Sequence, residues 1–112
     1  MDQLSRLRDA TRLLRSAHAQ FRASQLDLLL SIHLKPGQTQ TELANECNLT
    51  LSAISRAVDV MGASGRKDSK STARLGWIEV RDNAEDDRIK QVFITPTGKQ
   101  FLSLLEAVTY GG

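Results

Sequence analysis

Cysteine is almost absent from this chain. Cys47 stands alone among 112 residues, which excludes an internal disulfide framework and a cysteine-rich metal site. The two histidines, His18 and His33, lie 15 positions apart with no Cys or Glu pattern beside them, so a zinc site is not expected. Long apolar runs are missing too. None approaches the roughly 18 residues of a membrane span, and the amino terminus, MDQLSRLRDATRLLR, has no apolar signal-peptide core. No Gly-rich phosphate loop, nucleophile elbow or paired-carboxylate pocket appears. The expectation is a protein without cofactor or catalysis, not bound to membrane and placed in the reducing cytoplasm.

What is present is charge and helical periodicity. Fifteen Lys and Arg against thirteen Asp and Glu leave a formal charge of only +2, so its placement matters more than its total. Residues 2–22 read as one helix of roughly 30 Å, with Leu4, Leu7, Thr11, Leu14, His18 and Phe21 on one face and Arg8, Arg12, Arg15 and Arg22 on another. That apolar face predicts dimerisation through Leu4, Leu7, Leu14 and Phe21. Ser24 is read as the cap of a second helix whose body, LDLLLSIHL, is apolar nearly all round and stops at Pro36-Gly37.

Thr39-Gln-Thr-Glu42 is a capping box that opens a short third helix ending near Cys47. Asn48 sits where the chain must turn sharply, and Thr50 caps a fourth helix with Ile54, Ala57, Val58 and Met61 facing inward. Residues 64–74, SGRKDSKSTAR, follow as a polar, basic insertion. The period then changes to alternation, giving two strands around the turn DNAEDD. Thr95-Pro96 starts a last helix. The fold class is mainly α with a small β-hairpin, in the order α-α-α-α-β-β-α: a winged helix-turn-helix. Residues 1–22 form an N-terminal dimerisation helix, 23–98 the winged domain with its insertion, and 99–112 a C-terminal helix.

With Ala44, Leu49 and Ile54 turned inward, Leu51, Ser52, Ser55, Arg56 and Asp59 point outward from a helix of the size that enters a DNA major groove. Arg56 forks onto a guanine edge or onto a phosphate, and Ser52 and Ser55 are short donors. The amides after Thr39 and Thr50 offer further phosphate contacts. In the insertion, Arg66, Lys67, Lys70 and Arg74 outnumber the one acid, Asp68, which favours phosphate contact. The hairpin turn carries four acids, Asp82, Glu85, Asp86 and Asp87, before Arg88. Pairing with Asp86 or Asp87 would hold Arg88 toward a minor groove. The same acids keep open a competing reading, a winged helix that binds another regulator or a replication or partition factor.

The stretches QTELANECNLTLSAISRAVD and LGWIEVRDNAEDDRIKQVFITPTGKQFL resemble MarR-type winged-helix regulators over roughly residues 25–106. The family's wing has the form D-x-R, a strand, then L-T-x-x-G. Here Asp86-Asp87-Arg88 and Ile94-Thr95-Pro96-Thr97-Gly98 fit it, with Ile94 in place of Leu. The resemblance implies a homodimer on a pseudo-palindromic double-stranded operator, with the fourth helix in the major groove and Arg88 in the minor; the reading is a nucleoid-associated transcription regulator that represses by occlusion. Two features depart from the pattern. About eleven extra residues precede Gly76-Trp77, and the last helix is short, which shifts dimerisation toward the first helix and counts against a small-molecule effector.

Overall fold

The computed structural model describes residues 3–62 and 75–110, so the predicted insertion at 64–74 lies outside the described residues. Five helices and one antiparallel hairpin follow in the expected order: α1 (Gln3–Ala17), α2 (Ala23–Leu34), α3 (Gln40–Cys47), α4 (Leu51–Met61), β1 (Ile78–Asp82), β2 (Lys90–Ile94) and α5 (Pro96–Tyr110). The core collects Leu28, Leu29 and Ile32 of α2, Leu43 of α3, Ile54 and Met61 of α4, and Ile78 and Val92 of the hairpin, all fully buried. Among the described residues no helix is long and apolar enough to cross a membrane.

The helix-turn-helix forms from local chemistry. The Thr39 hydroxyl accepts the Glu42 N–H at 3.1 Å, and the Glu42 carboxylate accepts the Thr39 N–H at 3.1 Å. Two otherwise orphaned amides are thereby satisfied at the start of α3. Asn48 ends α3 in the left-handed region at φ 54, a conformation Asn tolerates better than most side chains. The Leu49 N–H then returns to the Ala44 carbonyl at 2.9 Å, and the Thr50 hydroxyl accepts the Ala53 N–H at 3.1 Å to start α4.

The first helix is shorter than its apolar repeat suggests. It stops at Ala17, not at residue 22. The Phe21 N–H closes a turn onto the His18 carbonyl at 3.0 Å, and the Phe21 ring lies 5.9 Å from that of Trp77. Burying Phe21 against a residue 56 positions away requires the chain to leave the helix, so tertiary packing overrides the periodicity. The start of α2 shifts as well. Arg22, not Ser24, is its N-cap, and the Gln25 side chain accepts the Arg22 N–H at 2.9 Å. Nor is α2 buried all round, since Leu30 and Leu34 are exposed.

Three segments meet behind the hairpin. The Trp77 and Phe101 rings stack with centroids 4.0 Å apart, and the Thr95 N–H donates to the Trp77 carbonyl at 2.9 Å. Gly98 lies so close to that carbonyl that a β-carbon there would sit 2.1 Å from it. On either side of the insertion the chain is tied to itself. The Leu75 N–H bonds the Val60 carbonyl at 2.9 Å and the Trp77 N–H bonds that of Met61 at 2.8 Å, so α4 and β1 keep their places whatever is threaded between them.

Candidate nucleic-acid interface

The amino ends of α3 and α4 and the exit of the hairpin turn come together on one face. Thr39, Gln40, Thr41, Leu51, Arg88, Ile89 and Lys90 line an open concavity of about 430 Å³. The first turns of two helices border this surface, each carrying the partial positive charge of a helix start. Leu51 is 54% exposed there, an apolar side chain displayed at the start of α4. Ser52, Ser55 and Arg56 are exposed along α4, and Arg56 Nε leans back onto the Ser52 carbonyl at 3.4 Å. The structure thus brings Thr39 and Leu51 together with Arg88, leaves Thr50, Ser52 and Ser55 exposed at the start of α4, and sets Arg56 in a separate hollow beside Gln20, Arg22 and Gln25. Arg66, Lys67, Lys70 and Arg74 lie outside the described residues.

The wing explains its own acids. The Asp86 carboxylate takes both Nε and a terminal nitrogen of Arg88, each at 3.1 Å, and also the Arg88 N–H at 3.0 Å. This bidentate grip fixes the planar guanidinium in direction, and the same bonds to Arg88 hold the Asp86 carboxyl below its ordinary pKa range. Asp82 pairs with Lys90, whose ammonium also meets the Asp87 carbonyl. Two of the four acids are therefore matched to cations within the hairpin. The Arg88 side chain remains 88% exposed. At α3 the Glu42 carboxyl is lowered as well, chiefly by the Thr39 N–H.

Some residues of this face escaped the sequence reading. Thr41, Ile89 and Lys90 line the concavity beside Arg88. Lys90, a cation two positions past Arg88, was the available signal. Gln91 gave none, because its partner Gly37 is 54 positions away.

The dimerisation residues divide. Leu14 is 7% exposed and belongs to the chain's own core, and Phe21 packs on Trp77, so neither is displayed for a second copy. Leu4 and Leu7 are exposed, as are Leu104 and Tyr110 on α5, which lies against α1. Between α1, α2 and α5 is an apolar hollow of about 300 Å³ lined by Leu7, Leu26, Leu30 and Leu102 among others. Cys47 is half-buried beside the Ser31 hydroxyl at 3.5 Å, and burial pushes its thiol pKa up, which suppresses the reactive thiolate.

Comparison with known proteins agrees with this architecture. A family profile described as winged helix-turn-helix DNA-binding matches residues 21–66. No curated protein sequence matches the chain. Among solved structures, the transcriptional regulator BldR from Sulfolobus solfataricus is 25% identical, with a TM-score of 0.65 over 90% of this chain and 63% of its own. A mutant MarR from E. coli, complexed with operator DNA, is 25% identical with a TM-score of 0.63, covering 94% of this chain and 69% of that one. A further MarR family transcription regulator is 24% identical with a TM-score of 0.61, and this chain spans 61% of its length. The chain thus covers about three fifths of the first structures it matches. Over nine tenths of its length, then, this is a winged helix-turn-helix protein that resembles the MarR-family transcription regulators.

Proposed function

We propose that this chain is a sequence-specific double-stranded DNA-binding regulator of transcription, acting as a homodimer and repressing by occlusion of a pseudo-palindromic operator. The observation that carries this reading is the shared face of Thr39, Leu51 and Arg88 around one concavity. It sets two helix starts and a pre-oriented guanidinium where a duplex would meet them together. In this reading α4 enters the major groove, with Leu51 against a thymine methyl and Arg56 on a base edge or phosphate. Arg88 enters the flanking minor groove. The insertion lysines and arginines contact phosphate without regard to sequence. Leu4, Leu7, Leu104 and Tyr110, exposed apolar side chains on two adjoining helices, supply the dimer face.

The wing acids no longer favour the competing protein-interaction reading, because Asp82 and Asp86 are matched to Lys90 and Arg88. Selection of bound duplexes from a random pool, followed by mobility-shift titration at several salt concentrations, tests the proposal. Arg56→Ala is expected to cost about 1–3 kcal/mol on the selected duplex and to relax specificity. Lys67→Ala and Lys70→Ala should weaken all duplexes alike and flatten the salt dependence. Equal binding by all three variants and the parent would sink this mode of recognition.

A further inference from the structure

Gln91, the second residue of β2, carries a half-buried side chain that bonds in two directions. Its Nε2 donates to the Gly37 carbonyl at 2.9 Å, and its Oε1 accepts from Asn83 Nδ2 at 3.1 Å. Asn83 continues the line into the turn: its Oδ1 accepts the Glu85 N–H at 2.8 Å and the Asp86 N–H at 3.2 Å. Asp86 then holds Arg88 by three bonds. One polar chain therefore runs from Gly37 through Gln91, Asn83 and Asp86 to Arg88.

Its far end is anchored. Gly37 lies two residues before Thr39, the cap of α3. The same loop bonds β2 through the Gly37 N–H to Val92 carbonyl at 3.2 Å and the Val92 N–H to Gln38 carbonyl at 2.9 Å. Those backbone bonds fix the strand, and the turn closes on itself through the Asn83 N–H to Ile89 carbonyl at 2.9 Å and the Ile89 N–H to Asp86 carbonyl at 3.0 Å. The side chains of Gln91 and Asn83 add the link that ties this turn back to the loop before α3. An arginine as exposed as Arg88 loses much rotamer freedom when it binds, and a contact set that meets two grooves at once tolerates little misplacement.

We propose that Gln91 and Asn83 are positioning residues that set the reach of Arg88 relative to the amino ends of α3 and α4, coupling wing contact to helix contact on the same duplex. This inference rests on the reading that Arg88 touches DNA. The test has an arm with DNA and an arm without it. In the free protein, Gln91→Met, uncharged and of similar length, should speed amide hydrogen exchange at Glu85 and Asp86 while leaving the core amides of α2 unchanged. On a selected duplex it should weaken binding about three- to tenfold. In a double-mutant cycle, Arg88→Ala should add little to Gln91→Met, the mark of two residues acting through one contact. Asn83→Asp provides a second variant: it keeps the acceptor for the turn amides, while a carboxylate oxygen and its charge replace the donor to Gln91. The loss caused by Arg88→Ala should shrink in that background too.

Losses that multiply, or unchanged exchange at Glu85 and Asp86, would overturn the inference. A further outcome separates the two readings. If exchange rises but Arg88→Ala alone leaves affinity unchanged, then the wing's DNA contact has failed, and the coupling is overturned with it.

Discussion

The two ends of this molecule satisfy themselves in opposite ways. At the helix-turn-helix and hairpin end, polar groups find partners within the chain: Thr39 with Glu42, Thr50 with Ala53, Asp86 with Arg88, Gln91 with Gly37. At the α1 and α5 end, one apolar face enters the core through Ala10, Leu14, Phe101 and Leu105, while Leu4, Leu7, Leu104 and Tyr110 face outward. Polar groups already paired within the chain suit a surface that stays wetted until it meets a charged partner. An exposed leucine face on adjoining helices suits a partner that removes it from water. The contrast teaches that burial, not periodicity, separates the leucines of α1 into two kinds.

That separation is open to direct challenge. Leu14→Ala should destabilise the fold by about 2–5 kcal/mol, the cost of a cavity in a packed core, measured by denaturant unfolding followed by circular dichroism. Leu7→Ser, one repeat earlier on the same helix, should move fold stability by no more than about 0.5 kcal/mol and instead lower self-association in sedimentation velocity. If Leu7→Ser unfolded as readily as Leu14→Ala, the two kinds of leucine would collapse into one.

The junction behind the hairpin gives the next largest effect. Gly98→Ala forces a methyl against the Trp77 carbonyl and should cost about 1–3 kcal/mol, with DNA affinity per folded molecule unchanged. A loss of affinity without a loss of stability would show that the junction belongs to the binding end after all.

The smallest effect concerns acid. Arg88 holds the Asp86 carboxyl below its ordinary range. A lowered folded pKa means the pair contributes in full above the unfolded value, and that contribution is lost as pH falls through the folded one. The order of the wing turn should therefore persist at neutral pH and fade below about pH 4. NMR titration of the Asp86 carboxyl and the Arg88 amide checks this. A midpoint for Asp86 at or above that of an ordinary aspartate would contradict the pairing.

What could be read from the sequence tracks the range of the interactions. The α3 box, the Asn48 turn, the Thr50 cap and the Thr95-Pro96 start of α5 all lie within three or four residues of their partners, and each was legible. So was the pairing of Arg88 with one of its two neighbouring acids, of which the structure uses Asp86. Features set by distant partners were not. The end of α1 depends on Trp77, the division of its leucines depends on α5, and the Gln91 link depends on Gly37. In each case the local pattern was compatible with several outcomes, and a contact across the fold chose one.

Trp77 is the only tryptophan in the chain. Its ring touches the turn after α1 through Phe21 and α5 through Phe101, while its backbone opens the path into β1. The molecule therefore carries its one indole fluorophore at the joint between its two ends. A rearrangement that swings the terminal helices against the wing has to disturb that ring stack. Emission from the unlabelled protein would then report whether engagement at one end is felt at the other.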